Sequence, residues 1–402
     1  MSNSSHNRDW SVRLATLSAA SAVAVSVIYL PQSLLTDMAQ NLGVAPGVAS
    51  IIATTVQAGY ALGILLLVPL ADRFHPRTQV TVQSLILAGA LVLSALLPEV
   101  LSVALGFLIV GLVANIAQII IPAANRLSPP ESRGATTGAL VGAVLIGIFG
   151  GRILASVLVG AIGWRAVVVI FAVLVLGMLP LVRRALDAPL PLDPTPRSYG
   201  RLLLSTLTLA RHSQPLLQSG LMQFLVFATF NAAWTVMVLH LTSAPHNWSV
   251  LQAGLFGFVG LAAGITTPFA GRFIDRFGPL PVAGVFLALM LAATISVIFD
   301  SHQLVAFGFT MFVLTWANQS ILSASQNRVL TANPTVTAQA NTLFMFVVFL
   351  GGSTGALLGP IAYAAGGMQR VGQVGSIFLL VSIVIWALTV AMSRRSSPPP
   401  HP

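Results

Sequence analysis

Twelve runs of about twenty apolar residues, divided by short polar joints, decide the solvent of this chain before anything else is read. In the first half they fall near residues 14–35, 48–70, 79–97, 100–122, 135–160 and 164–182. In the second half they fall near 216–240, 250–270, 281–299, 303–325, 337–363 and 372–392. Each is long enough to cross roughly 30 Å of hydrocarbon as a helix. Only 7% of the 402 residues are charged and the mean hydropathy is +0.90. A water-soluble chain of this length needs far more charge to coat its surface. The expected fold is an all-α polytopic membrane protein with twelve transmembrane helices. The first run follows Arg8 and Arg13, as a signal peptide would. It is too long for one, offers no small-residue cleavage site and precedes many further runs, so it reads as a retained first span.

The net charge of +10 does not describe a nucleic-acid surface, because the arginines sit singly or in pairs between apolar runs. They report topology instead. With the N-terminus inside, sixteen of the nineteen arginines fall in cytoplasmic segments, only Arg165 and Arg370 lie in outer loops, and Arg152 lies within a span. That asymmetry predicts an even number of spans with both termini cytoplasmic. The chain has no Cys, which excludes disulfides, thiolate metal sites and cysteine nucleophiles. Its seven histidines have no metal-ligand spacing, no Ser/His/Asp set is positioned for catalysis, and no phosphate-binding loop with Lys is present. An enzyme, a cofactor and an ATP-driven pump are not expected.

The halves of the chain echo each other. Asp72-Arg73 recurs as Asp275-Arg276, Asn125-Arg126 as Asn327-Arg328, and Gly150-Gly151 as Gly351-Gly352, at offsets of 203, 202 and 201 residues. A hydrophilic stretch rich in Pro and Arg separates the two copies. The expected organisation is an N-terminal six-helix bundle over 1–183, a cytoplasmic linker over 184–215, a C-terminal bundle over 216–393 and a short tail over 394–402. Duplicated six-helix units are a transporter architecture.

Those landmarks make the chain similar to the major facilitator superfamily over nearly its whole length. The signature loop of that family appears as Val68-Pro-Leu-Ala-Asp72-Arg73-Phe-His75-Pro76-Arg77, departing from the pattern at Val68, His75 and Pro76. Its second copy, Gly271-Arg-Phe-Ile-Asp275-Arg276-Phe-Gly278-Pro279, is cleaner. Tyr29-Leu-Pro31-Gln32, Gly59-Tyr60-Ala-Leu-Gly63, Glu131-Ser-Arg133-Gly134, Gly163-Trp164-Arg165 and Phe349-Leu-Gly-Gly352 resemble the drug:proton antiporter branch, especially bacterial sugar and arabinose efflux permeases. The resemblance implies two pseudo-symmetric bundles working by alternating access around a central site. It also implies a gating role for Asp72, Arg73, Arg77, Asp275 and Arg276, with the Asp72 carboxylate facing the positive end of a neighbouring helix.

Within the spans, polar residues are the candidates for chemistry, because each costs free energy unless it meets a cavity or a partner. Arg152 lies eighteen residues after Gly134, about 27 Å along its helix. It is expected to bind an anionic or polar substrate or to pair with Asp37. Gly138-x-x-x-Gly142 and Gly147-x-x-x-Gly151 place small residues on one face of that helix, and Gly147 and Gly151 are assigned to close packing and gating. By family analogy the first, fourth, seventh and tenth spans line the cavity, which favours Gln32, Gln118, Asn231, Trp234 and Asn318 as substrate-binding residues. Asp37, near a first-span position where the branch often carries proton-responsive acids, and His240, which can titrate near neutral pH, are the coupling candidates. No acid lies in the middle of a span. The combined expectation is proton-coupled efflux of a small amphipathic molecule, such as a drug, sugar or nucleoside-like metabolite. The expected protein is a monomer in a bacterial inner membrane, with the solute, protons and lipid as its partners. An uptake permease for a small organic anion, with Arg152 as counter-ion, is the alternative. A non-transporting receptor or scaffold would predict lost Asp-Arg loops or large soluble extensions, and neither is seen.

Overall fold

Inside hydrocarbon a backbone N–H finds no water, so a spanning segment must bond to itself as a helix. A computed structural model of the chain, describing residues 2–187, 198–300 and 303–396, is built of helices and turns, with no strand among the described residues. Residues 188–197, within the expected linker, the pair 301–302, and the residues from 397, within the expected tail, lie outside the described residues. The first helices are α1 (Trp10–Ser33), α2 (Pro46–Ala71), α3 (Pro76–Leu96), α4 (Val100–Leu127) and α5 (Arg133–Ala185). A short α6 (Tyr199–His212) precedes α7 (Gln214–Thr242), α8 (Val250–Ile265) and α9 (Thr267–Phe277). The chain continues through α10 (Pro279–Asp300), α11 (Leu304–Ala332) and α12 (Thr337–Ser396).

Among the described residues, nine of these helices are long and apolar enough to cross a membrane. At 53 and 60 residues, α5 and α12 are each more than twice the thickness of the hydrocarbon. Each breaks where only glycine is comfortable: α5 at Gly163 (φ 73°) and α12 at Gly366–Gly367, the latter with φ 62°. Counted as two crossings each, and with the 16-residue α8 continued by α9, they account for the twelve spans read from hydropathy. Burial runs in the sense a membrane demands. Val82, Leu85 and Val173 face outward, while polar Gln57, Asn115, Asn231 and Asn318 are fully enclosed.

Contacts group the chain into two units, one comprising Met1–Leu204 with Met237–Leu261, the other Ser205–Val236 with Ala262–Pro402. In the first unit, glycines set the helix spacing. A Cβ on Gly59 or Gly63 would land on the backbone of Leu108 or Leu112, so α2 and α4 run in backbone contact. Gly147 faces Ala22, and Gly151 faces the side chain of Ser26, which joins α5 to α1 in the same way. Gly138 and Gly142 have open space beside them, so only one of the two small-residue pairs packs against a neighbour.

The second unit repeats this device. Gly351, Gly355 and Gly359, one turn apart on α12, face the backbone of Phe224, Ala228 and Ala232 on α7. Ala22–Gly147 and Ser26–Gly151 therefore correspond to Phe224–Gly351 and Ala228–Gly355, an offset of 202 on one helix and 204 on the other. By packing, the counterpart of Gly151 in the repeat is Gly355, whereas the dipeptide landmarks align it with Gly352. Packing registers by contact, and the offset between the copies differs from helix to helix.

Candidate functional site: a buried guanidinium and its aromatic frame

In α1 the helix tightens at Val27–Tyr29 and resumes over Leu30–Ser33, with Pro31 in the resumed turn. Tyr29 and Gln32, three residues apart, share the face turned to α5, where Phe149 and Arg152 have the same spacing. Close approach of the two backbones at Gly147 and Gly151 brings these pairs together. Arg152 is 3% exposed and donates from Nη2 to Oε1 of Gln32, itself 2% exposed. Its guanidinium carbon lies 4.7 Å from the centre of the Tyr29 ring and 5.6 Å from that of Phe149. Aromatic faces attract a cation, and this attraction grows when both partners are desolvated. Nearby polarity continues through Gln118, whose Nε2 donates to the Tyr60 hydroxyl at 3.4 Å.

In the second unit, repeat offsets place Asn231 and Trp234 as the counterparts of Tyr29 and Gln32, and Ala356 as that of Arg152. The duplicated geometry thus carries a charge in one copy only. Trp234 donates from Nε1 to Oγ1 of Thr315 at 3.1 Å, and Gln223 donates to Asn318 at 3.4 Å. Phe227 stacks on Phe230 at 5.7 Å and meets Phe349 edge-on at 5.3 Å, while Phe230 lies 6.1 Å from Trp234. Amide and indole groups here sit in an aromatic lining, all of it buried.

The proposed coupling residues have different surroundings. Asp37 accepts the backbone N–H of Trp164 at 2.8 Å, just after the Gly163 break where the second crossing of α5 begins. A carboxylate there satisfies a helix-start donor and faces the positive end of the dipole. Asn41 accepts from the Trp164 indole at 3.2 Å and from Arg165, and Arg165 stacks on that indole. Asp37 is thereby joined to Trp164, and Arg152 to Gln32. Asp37→Asn should keep the cap and melt within a few degrees of the wild type. Asp37→Ala should lose about 1 kcal/mol, which differential scanning of the two variants measures. His240, 4% exposed, lies with its ring centre 5.2 Å from that of His246.

Among the loop residues, the Asp72 side chain lies outside the described residues. Arg73 is half-buried, and Arg77 forms an ion pair with Asp187 at the far end of α5. The departure from the signature at His75-Pro76 has a local reason. His75 caps α3, its Nδ1 accepting the Arg77 N–H at 3.2 Å, and Pro76 occupies the first helical turn. In the second copy, Asp275 and Arg276 are exposed at the end of α9, which Gly278 terminates at φ 84°.

Sequence reading passed over two groups of residues. Tyr29 and Phe149 were recoverable from their three-residue spacing to Gln32 and Arg152. Gly254, Gly257 and Gly260 on α8 carry the same spacing; they face Ser156, Ile153 and Phe149, so that α8 lies on the Arg152 helix within one contact unit.

The fold is that of a polytopic helical protein whose apolar spans enclose polar side chains, which cost free energy there unless they serve a partner or a solute. The Major Facilitator Superfamily model matches residues 15–329 and 219–402, and the chain belongs to that family. It is a multi-pass membrane transporter, not an enzyme. Over 370 residues it is 30% identical to the uncharacterized transporter YgaY of Escherichia coli O157:H7, covering 92% of this chain and 93% of that one. It is 26% identical over 385 residues to the purine ribonucleoside efflux pump NepI of Salmonella paratyphi A, covering 91% of each. In fold it matches the crystal structure of a bacterial homolog of the human lysosomal transporter Spinster, with a TM-score of 0.75 at 14% identity, covering 98% of this chain and 99% of that one.

Proposed function

We propose that this transporter is a proton-coupled efflux carrier for a small amphipathic solute of the purine nucleoside kind. It works as a monomer in a bacterial inner membrane with both termini cytoplasmic. The observation carrying this reading is the buried Arg152 held between the Tyr29 and Phe149 rings and bonded to the neutral Gln32. A flat heteroaromatic base stacks on such rings, and its ring nitrogens and carbonyls accept from a guanidinium. The aromatic and amide lining around Trp234, Asn231 and Asn318 suits the same chemistry and carries no charge to repel a neutral solute. The similarity to a pump named for purine ribonucleosides supports the substrate class.

Asp37 is the proposed coupling group and His240 the second candidate. Protonation of Asp37 would leave an oxygen to accept from Trp164 but remove the negative charge facing the positive helix start, which would link proton binding to the second α5 crossing. The Asp-Arg loops and the Gly147/Gly151 contact are the proposed gating elements.

Proteoliposomes given an imposed pH gradient and a radiolabelled purine ribonucleoside test this reading. The expected result is accumulation against the solute gradient, abolished in Asp37→Asn while downhill exchange persists. Accumulation that ignores the pH gradient would remove proton coupling. A second reading, uptake of a small organic anion, draws on the same residue. Gln32 satisfies a donor of Arg152 without cancelling its charge. Saturable uptake of a carboxylate that nucleosides fail to inhibit would favour it.

A further inference from the structure

Away from the Arg152 cluster, a groove of about 330 Å³ opens at the ends of α3 and α5, lined by Arg77, Leu179, Pro180, Arg183 and Arg184. Among the described residues, three guanidinium groups line it and one carboxylate, Asp187, is held in an ion pair with Arg77. That leaves an excess of positive charge on a surface where Arg183 and Arg184 are both exposed. The face of α5 leading to the groove is of a different kind. Val173, Leu176 and Pro180 follow one another at helical spacing and end at Arg183 and Arg184, and all three are exposed. In a membrane-spanning helix such a stripe faces acyl chains. One helical face therefore runs from hydrocarbon to a cationic pocket within three turns.

We infer that this groove is a binding site for an anionic glycerophospholipid, its phosphate held by Arg77, Arg183 and Arg184 and its acyl chain lying along Val173, Leu176 and Pro180. A free anion would use the arginines and leave the apolar stripe unused. A neutral lipid would use the stripe and leave the charge unmatched. Only a molecule with both parts fits the pattern, and guanidinium forks suit phosphate oxygens. Asp187 competes with the phosphate for Arg77, so occupancy of the groove would release the ion pair that ties the start of α3 to the end of α5.

Native mass spectrometry of the delipidated full-length protein, titrated with phosphatidylglycerol and separately with phosphatidylcholine, tests the assignment. Phosphatidylglycerol should bind and phosphatidylcholine should not compete with it. The double variant R183Q/R184Q should weaken phosphatidylglycerol binding at least tenfold, since each basic residue near an anionic headgroup is worth about fivefold. Arg370→Gln, which removes a charge at the Gly366–Gly367 break, should leave the affinity unchanged; an equal loss there would reduce the effect to net charge and overturn the site. Inorganic phosphate should not displace the lipid. Displacement at matched concentration would make the ligand a free anion and overturn the lipid assignment. Asp187→Asn, which frees Arg77 without removing a lining group, should tighten binding. It keeps the inference falsifiable if the double variant fails to fold, because unchanged affinity in Asp187→Asn would sink it.

Discussion

Arg152→Gln is expected to lower the transport rate about tenfold or more while the protein remains folded in detergent. Glutamine at this position keeps a polar side chain of shorter reach, so the variant removes the charge and the cation–π contacts without leaving an apolar hole. A hydrogen bond from a charged donor is worth about 1.5–3 kcal/mol, which corresponds to a loss of one to two orders of magnitude when the solute is the acceptor. Arg152→Lys should recover part of the rate, since a point charge survives but the planar fork and its stacking do not. Arg152→Ala should add a stability penalty of about 1–3 kcal/mol, because the buried Gln32 Oε1 loses the Arg152 hydrogen bond and the Tyr29 and Phe149 rings lose their cation. Initial rates in proteoliposomes and thermal melting of the same preparations separate the two effects. A Gln variant within twofold of the wild type would make Arg152 a structural residue, and the nucleoside and anion readings would both lose their main support.

The second large effect is expected at Gly151. A branched side chain there meets Ser26 at once, so Gly151→Val must push α1 away from α5. Overpacking of this kind costs about 1–3 kcal/mol. The functional consequence should be larger than the loss of stability implies, because the same contact seats Gln32 and Tyr29 against Arg152. Transport should fall in parallel with Arg152→Gln even where the variant still folds. Gly138→Ala, on the same helix with open space beside it, should be neutral or stabilising by about 0.5–1 kcal/mol. Equal damage at both positions would show that helix flexibility, and not the α1–α5 contact, matters on α5. Paired melting curves and uptake assays of the two variants decide the point.

The contrast between these glycines marks the limit of what spacing alone conveys. Both small-residue pairs on α5 obey the same four-residue rule, yet only Gly147 and Gly151 have a helix against them. Arg152 was legible as a charge that needs a partner. That its partner is Gln32, while Asp37 instead holds Trp164, depends on where the break at Gly163 and the tightened turn at Tyr29 point each side chain. The repeat was legible from three short landmarks, but the alignment of Gly151 with Gly355 emerged only from contacts.

By itself the sequence determined the solvent of this protein, its all-helical fold and its superfamily. Those properties are sums over residues or fixed distances along the chain: apolar length against hydrocarbon thickness, and recurring short motifs. The tertiary structure decided which polar groups meet, which glycines bear a neighbouring backbone, and which arginines share a groove. Such pairings depend on helix rotation and on the close contact of residues more than a hundred positions apart, and no one-dimensional spacing encodes either.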